Sequence, residues 1–414
     1  MDDLGAAARA AWLYSLPLIE MARVRSLAAK AASVRGGINS FMHSRALATP
    51  DARAVTSPNV DTLYSSAFID LGNGPASVTL PSTGNRYFSL QLLDMYTNNV
   101  AVLGTRTIGG AGGRFTLTGP GFTSGADAVR VPTPWLWALA RIGVDDPDAL
   151  EEAHRIQDGI ILEAHPPRAV GEFAHRNADW AAYFTSAAAL LAENPPPAAD
   201  QPLFQRIAPL GLDPAHAFDT SRFTAAERQE VGQGVAEARQ FLETIPPVHG
   251  TDGWVYPPAD LGIFGQRYVF RARVALMGLA ALPCAEAMYM TAVTPGGTTL
   301  FDQGDWRLHF ASGQFPPVAG FWSLTMYEAT RDRQFFLTEN PLHRYAIGDR
   351  TKGLAYNSDG SLDIWISRRD PGPEKTANWL PAPAAGPFRL SLRAYLPKPA
   401  LLDGTYRLPP LTSA

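Results

Sequence analysis

Hydrophobic and polar positions alternate with two different periods along this chain, and each change of period marks a part. Over residues 4 to 34 the spacing predicts a helix. Trp12, Leu16, Leu18, Ile19, Met21 and Val24 form its apolar stripe, with Pro17 inside it removing one amide donor. From about 53 to 140 the pattern changes to short β-like runs. They are separated by Gly72-Asn-Gly-Pro75, Gly84-Asn85, Gly109-Gly-Ala-Gly-Gly113 and Gly119-Pro-Gly121. The Gly109–Gly113 run lacks the Gly-Lys-Ser/Thr ending of a phosphate loop and no helix pattern follows it, so it reads as a hairpin tip.

Residues 146 to 292 read as mainly helical. Asp146-Pro147 is a start signal, with Leu150, Ile156, Ile160 and Ile161 on the apolar side. Asn194-Pro-Pro-Pro197 stops the next helix near Ala192, and Thr224-Ala-Ala-Glu227 fits a capping box. The stretch Tyr268 to Tyr289, rich in Ala, Leu and Met, reads as a helix buried on most sides. From 299 to 408 period two resumes, with strands near 306–311, 320–328, 362–367 and 388–395 and a turn at Asp359-Gly360. The expectation is an α+β fold: two β-sandwich or jelly-roll-like domains joined and packed by a mainly helical segment. Its parts are an N-terminal helical segment (1–45), a β domain (46–145), the helical segment (146–297) and a second β domain (298–414).

Composition narrows the function classes. At 414 residues the chain is too long for one ordinary core, and 46% hydrophobic residues is normal for a globular protein. A net charge of −4 argues against nucleic-acid binding. Cys284 is the only cysteine, so there is no disulfide framework, and its apolar surroundings suit a buried thiol. No apolar run reaches the roughly 18 residues of a membrane span, and the first residues lack the pattern of a secretory signal. A cytoplasmic protein with no membrane partner is expected, and self-association into a homo-oligomer is compatible with this reading.

Two stretches spend rare residues where a merely structural strand would use Val, Ile and Thr. They are Ser57-Pro-Asn-Val-Asp-Thr-Leu-Tyr64 and Phe321-Trp-Ser-Leu-Thr-Met-Tyr327. Each interleaves aromatic and polar residues, which on a strand places one set on a shared face. Asp61, Tyr64 and His43 are candidates to move a proton. Arg86 offers a fork for an oxyanion, or pairs internally with Asp94. Asn59, Gln91, Tyr96, Asn98, Arg271, Trp322, Tyr327 and Trp379 are candidates to line a pocket. For Asn59 and Asp61 the structural alternative is an Asx-turn after Pro58. Arg271 and Arg273 sit in an apolar stretch and must find partners there, across the domain interface or on a substrate.

Of the eight histidines (His43, His154, His165, His175, His216, His249, His309 and His343) no two are three to five residues apart, so no local metal motif exists. His309, near the Trp322 segment, is a further acid–base candidate. There is no Gly-x-Ser-x-Gly elbow and no dinucleotide or P-loop fingerprint. No cofactor and no metal is called for by these motifs.

The chain resembles the bacterial two-part family that joins domains of unknown function twelve-fifty-four and twelve-fourteen. Pro58-Asn-Val-Asp-Thr-Leu-Tyr64, Gly84-Asn-Arg-Tyr87, Leu92-Leu-Asp-Met-Tyr-Thr-Asn98 and Gly119-Pro-Gly121 carry the N-terminal part. Pro316-Pro317, Phe321-Trp-Ser-Leu-Thr-Met-Tyr327, Asp359-Gly-Ser361, Asn378-Trp-Leu-Pro-Ala-Pro383 and Leu392-Arg-Ala-Tyr-Leu-Pro397 carry the C-terminal part. The resemblance implies two sandwich-like domains packed with helices and little about chemistry. It departs in the first helix, where Tyr14-Ser-Leu-Pro17 stands in place of the Tyr-Gly-Tyr-Pro common in relatives.

The residues together point to an enzyme working by acid–base chemistry, without cofactor, on a small, partly apolar, aromatic substrate between the two β domains. A lyase is favoured over a hydrolase. The alternative is a non-catalytic protein that binds a small molecule or saccharide on aromatic platforms.

Overall fold

A computed structural model describes residues 3–35, 38–53, 56–123, 125–146, 150–244, 250, 252–332 and 334–414. Pro147, expected to open a helix, and His249 lie outside the described residues. The first helix, α1 (Leu4–Arg35), follows the apolar stripe and runs unbroken through Pro17. Strands then build four sheets. The first is antiparallel throughout, in the order β1 (Met42–His43), β2 (Thr62–Asp70), β8 (Trp135–Gly143), β4 (Phe88–Leu93), β5 (Asn99–Gly104). The second is β7 (Val129–Arg130), β6 (Gly113–Thr118), β3 (Ala76–Leu80), β9 (Ile161–Glu163).

The third sheet is β10 (Trp254–Val255), β11 (Ala287–Ala292), β18 (Phe388–Tyr395), β13 (Trp322–Ala329), β14 (Phe335–Phe336), with β15 (Ala346–Gly348) also on β13. The fourth is β17 (Trp379–Pro381), β16 (Leu362–Ser367), β12 (Trp306–Phe310), β19 (Thr412–Ser413). The other described α-helices are α2 (Thr105–Ile108), α3 (Glu151–Asp158), α4 (Trp180–Glu193), α5 (Gln201–Ile207), α6 (Ala225–Thr244), α7 (Tyr268–Met277) and α8 (Pro399–Leu402). None of the described helices is long and apolar enough to cross a membrane.

Alternation decides which side of each strand is buried where. In the N-terminal sandwich, Leu63, Ile69, Leu90, Leu136 and Ile142 of the first sheet meet Val78, Leu80 and Leu117 of the second. In the C-terminal sandwich, Leu324, Met326, Leu390 and Leu392 of the third sheet meet Leu308, Ile364 and Ile366 of the fourth. The fold is therefore α+β, with two open β-sandwiches.

The remaining face of the first sheet is split along its length. At one end Phe68, Trp137, Leu139 and Leu93 are apolar and pack in one core with Trp12, Leu16 and Ile19 of α1 and with α4 and α6. At the other end Tyr64, Ser89, Gln91 and Arg141 share the same parity and the same face. An apolar seam of Tyr87, Val102, Leu282, Ala287, Phe321, Tyr395 and Leu396 joins this end to the C-terminal sandwich.

Several local readings differ from the sequence expectation. Gly109–Gly113 is not a hairpin tip, because it follows α2 and carries the chain from β5 in the first sheet to β6 in the second. The helix expected over Tyr268–Tyr289 stops at Met277, and Ala287–Ala292 pairs as β11 between β10 and β18. Ala and Met are good helix formers, but intrinsic propensity is small beside tertiary context, and two ladders of sheet hydrogen bonds outweigh it here. The Asp359-Gly360 turn opens β16, whose partners are β12 and β17. The helix stop before Pro195 and the capping box at Thr224 stand as expected. Helix α4 ends at Glu193, and the Thr224 amide donates to Glu227 Oε2 at 2.7 Å.

Candidate functional site

The two rare stretches meet. Ser323 and Tyr327 lie on the face of β13 opposite its core residues, and the register sets Ser323 beside Arg393, which in turn pairs with Tyr289. This polar face of the third sheet abuts the Ser57–Asp61 loop and the polar end of the first sheet. Ser323 Oγ donates to Asp61 Oδ2 at 2.7 Å, and Tyr395 OH donates to the same oxygen at 3.4 Å. Asn59 Nδ2 donates to Tyr395 OH at 2.8 Å and to Tyr64 OH at 3.3 Å. Tyr327 OH donates to Pro58 O at 2.7 Å. Arg393 donates to Thr325 Oγ1 at 2.6 Å, to Ser57 O at 3.3 Å and to Tyr327 OH.

The loop is shaped for these contacts. Asn59 Oδ1 accepts the Asp61 amide at 2.7 Å, so the Asx-turn forms and the same Asn59 also reaches across the interface. Ser57 takes a left-handed φ of 54°, unusual for a side-chain-bearing residue. Strain of this kind persists where surrounding bonds over-determine it, and here Arg389 and Arg393 both hold Ser57.

On the first sheet, Arg141 donates to Gln91 Oε1 at 2.7 Å and to Ala280 O at 3.1 Å, and lies 5.3 Å from the Tyr64 ring centre. Next to it, Tyr87 OH donates to Glu286 Oε1 at 3.1 Å and Arg106 pairs with Glu286 Oε2 at 2.8 Å. Around Asp61 the cluster thus holds the buried guanidinium groups of Arg141 and Arg393 and the phenols of Tyr64, Tyr289, Tyr327 and Tyr395, with Tyr87 and Glu286 beside them.

Its electrostatics assign protonation states. Burial pushes the Tyr395 phenol well above its ordinary pKa, and Tyr289 and Asp61 push it further. Burial also raises Tyr327 and Tyr289, against the opposing pull of Arg393 and Arg141 respectively. These phenols are therefore held protonated at neutral pH. Burial works against the cations of Arg141 and Arg393, yet the surrounding phenols outweigh it and raise both. Asp61 is buried, whereas Asn59, Tyr64 and Tyr289 are half-buried, so the cluster meets solvent on their side. Two surface depressions, of about 370 and 620 Å³, lie elsewhere, one beside Ser77 and Arg114 and one beside Ala7 and Arg206.

Of the residues expected from sequence, Asn59, Asp61, Tyr64, Gln91 and Tyr327 come together here. Others are placed differently. Trp322 is five residues from Tyr327 and so on the opposite face of β13, buried in the C-terminal core against Phe310. His43 bonds Ser65 Oγ at 2.8 Å on the sandwich-core side of β2, away from Tyr64. Its pKa is lowered by burial and by Arg45. Arg86 donates to Gly143 O at 2.7 Å and pairs with Asp145 at 3.1 Å, not with Asp94, whose oxygens accept from Tyr96 and Asn98. Trp379 is buried on β17, its indole bonded to Ser367 O at 3.0 Å. His309 pairs across strands with Asp363 at 2.7 Å, on β12 of the fourth sheet. Arg271 of α7 lies against the Tyr96 ring in a separate cluster, where Asn98 bonds to the neighbouring Asp94.

Sequence reasoning passed over Arg141, Tyr289, Ser323, Arg393 and Tyr395. The signal existed for two of them: in Leu392-Arg-Ala-Tyr-Leu-Pro397 a charge and a phenol occupy alternate positions of a strand that otherwise reads as buried. Among the described residues, no three His, Cys, Asp or Glu side chains gather as a metal ion would need.

Comparison with known proteins agrees with this layout. The family model described as protein of unknown function (DUF1254) matches residues 38–164, and that described as protein of unknown function (DUF1214) matches residues 286–399. The crystal structure of the VPA0106 protein from Vibrio parahaemolyticus is similar over 99% of this chain and 100% of its own, with a TM-score of 0.73 at 22% identity. That likeness concerns the fold alone. An uncharacterized protein from Burkholderia cenocepacia aligns over 93% of this chain and 84% of its own at 14% identity, with a TM-score of 0.46. Among curated proteins, none matches the sequence.

Proposed function

The chain belongs to the family that couples a DUF1254 part to a DUF1214 part, and from that premise we propose that the surface between the two parts is an active site for acid–base chemistry on a small, partly apolar, aromatic molecule. The observation that carries this reading is the convergence on Asp61 Oδ2 of Ser323 and Tyr395, residues 262 and 334 positions away. A buried carboxylate joined to a protonated phenol, with guanidinium groups alongside, is the equipment for moving a proton while stabilising an oxyanion.

Elimination uses each part. Asp61 takes a proton from a substrate carbon, and the C–H electron pair becomes the new double bond. The C–O bond breaks, and the Tyr395 phenol gives its proton to the departing oxygen. The proton on Asp61 then returns to Tyr395 along their hydrogen bond, restoring the site. Arg141 and Arg393 hold negative charge on the substrate, and the half-buried Tyr64 and Tyr289 supply apolar walls where it enters. A lyase is the reaction class proposed, in a cytoplasmic setting.

The test is untargeted mass spectrometry of a small-molecule extract incubated with the protein. The wild type should consume a compound and release its dehydrated product, and both Asp61→Asn and Tyr395→Phe should stop this. Consumption that persists in both variants would sink the assignment, and so would binding of a compound with no turnover.

A further inference from the structure

Arg271, on α7, is 1% exposed. Its guanidinium carbon lies 5.0 Å from the Tyr14 ring centre and 5.3 Å from those of Tyr96 and Tyr268. The three rings cage the cation, but their hydroxyls are committed elsewhere. Tyr14 OH and Tyr268 OH donate to the two oxygens of Asp200, each at 2.8 Å, and Tyr96 OH donates to Asn194 O at 2.8 Å. The nearby Asp94 is likewise engaged, accepting the amides of Tyr96 and Asn98 at 2.9 Å.

The consequence falls on Arg271. Its Nε and Nη2 are both buried and both without a hydrogen-bond partner. These two N–H groups lie along one edge of the guanidinium plane, the edge that grips the two oxygens of a carboxylate side-on. The other buried arginines with unpartnered nitrogens differ: Arg25 uses Nη2 on Glu193, and Arg141 uses Nη2 on Ala280 O. Leaving two buried N–H groups without a partner is costly, so the arrangement anticipates an acceptor.

We propose that the unpartnered edge of Arg271 is a second binding site, for the carboxylate of a small organic acid. A monoanion is specified by the surroundings. The charge of Asp94 acts on the cation and Asp200 holds two of the caging tyrosines, so a doubly charged phosphate would be repelled more strongly than a singly charged carboxylate. Thr97, adjacent to Tyr96, adds another buried hydroxyl without a partner. The site shares no residue with the Asp61 cluster, and its link to it is the α7–β11 connection, where Ala280 O accepts from Arg141. It therefore stands independently of the lyase reading.

The experiment titrates the intact protein with acetate and with benzoate. Calorimetry follows binding, and nitrogen–proton NMR follows the arginine Nε–H signals, with that of Arg271 identified by its absence in Arg271→Lys. The Arg271 signal should shift saturably. Affinity should fall at least about tenfold in Arg271→Lys, which keeps the charge but loses the fork, and vanish in Arg271→Met. The shift of the Arg271 signal is the readout specific to this site, because an acid bound at the Asp61 cluster leaves it unmoved. An Arg271 signal unmoved by either acid in the wild type overturns the proposal, whatever the variants' folding. Acetate affinity unchanged in Arg271→Met overturns it as well.

Discussion

Replacing Tyr327 by Phe removes one oxygen and nothing else, at the point where the two rare stretches touch. The hydroxyl donates to Pro58 O at 2.7 Å and accepts from Arg393. Without it a buried carbonyl loses its donor and a buried guanidinium loses one charge-assisted bond. Each loss is typically about 1–3 kcal/mol. Arg393 keeps its bonds to Thr325 Oγ1 and Ser57 O, so its share falls at the lower end. Together they give about 3 kcal/mol, or roughly two powers of ten in an equilibrium constant. Equilibrium urea unfolding, followed by tryptophan fluorescence and far-ultraviolet circular dichroism, measures it. Tyr356→Phe, at a ring that is 53% exposed, is the control and should stay within about 0.5 kcal/mol. A Tyr327→Phe loss no larger than the control would refute the claim that this contact holds the interdomain site together.

Asp94 is raised by burial to a pKa of about 6, against hydrogen bonds from Asn98, from an ordinary value of 3.8. The native state therefore holds this proton more tightly than the unfolded chain, and the contribution to stability falls as pH rises from about 4 to about 6. Asp94→Asn removes that dependence, so its stability relative to wild type should improve by about 3 kcal/mol between about pH 4 and pH 7, read from urea unfolding at each pH. A constant difference would contradict it. Burial, then Asp260, pushes the Cys284 thiol up to about 11. Iodoacetamide at neutral pH should thus leave the folded protein unlabelled by mass and modify it once urea is added. Thr224→Ala breaks the capping box of α6, and the thermal or urea midpoint should drop by the equivalent of about 1 kcal/mol.

The strands of the C-terminal sandwich were legible because period two is strong there. Residues 362–367 and 388–395 form strands with those bounds, and α1 follows its stripe to within a residue. β11 was illegible because Ala-Met-Tyr-Met carries no alternation of polarity, and only its neighbours β10 and β18 make it a strand. The site was half legible for a related reason. Unusual residues mark Asn59, Asp61, Tyr64 and Tyr327, but which face of β13 looks across the interface depends on how the sheets are layered. Trp322 shows this, since a one-residue choice of parity sends it into the core. Arg141 has the opposite problem. It lies in a strand buried along its whole length, and its role follows only from the partners Gln91 and Tyr64 that pairing brings beside it.

The most direct measurement is a crystal structure of Asp61→Asn with the compound that the wild type consumes. The compound is expected between the sandwiches, its reacting carbon against residue 61 and its departing oxygen against Tyr395, with contacts from both halves of the chain. A compound seated on one sandwich alone, away from Ser323 and Tyr395, would contradict it.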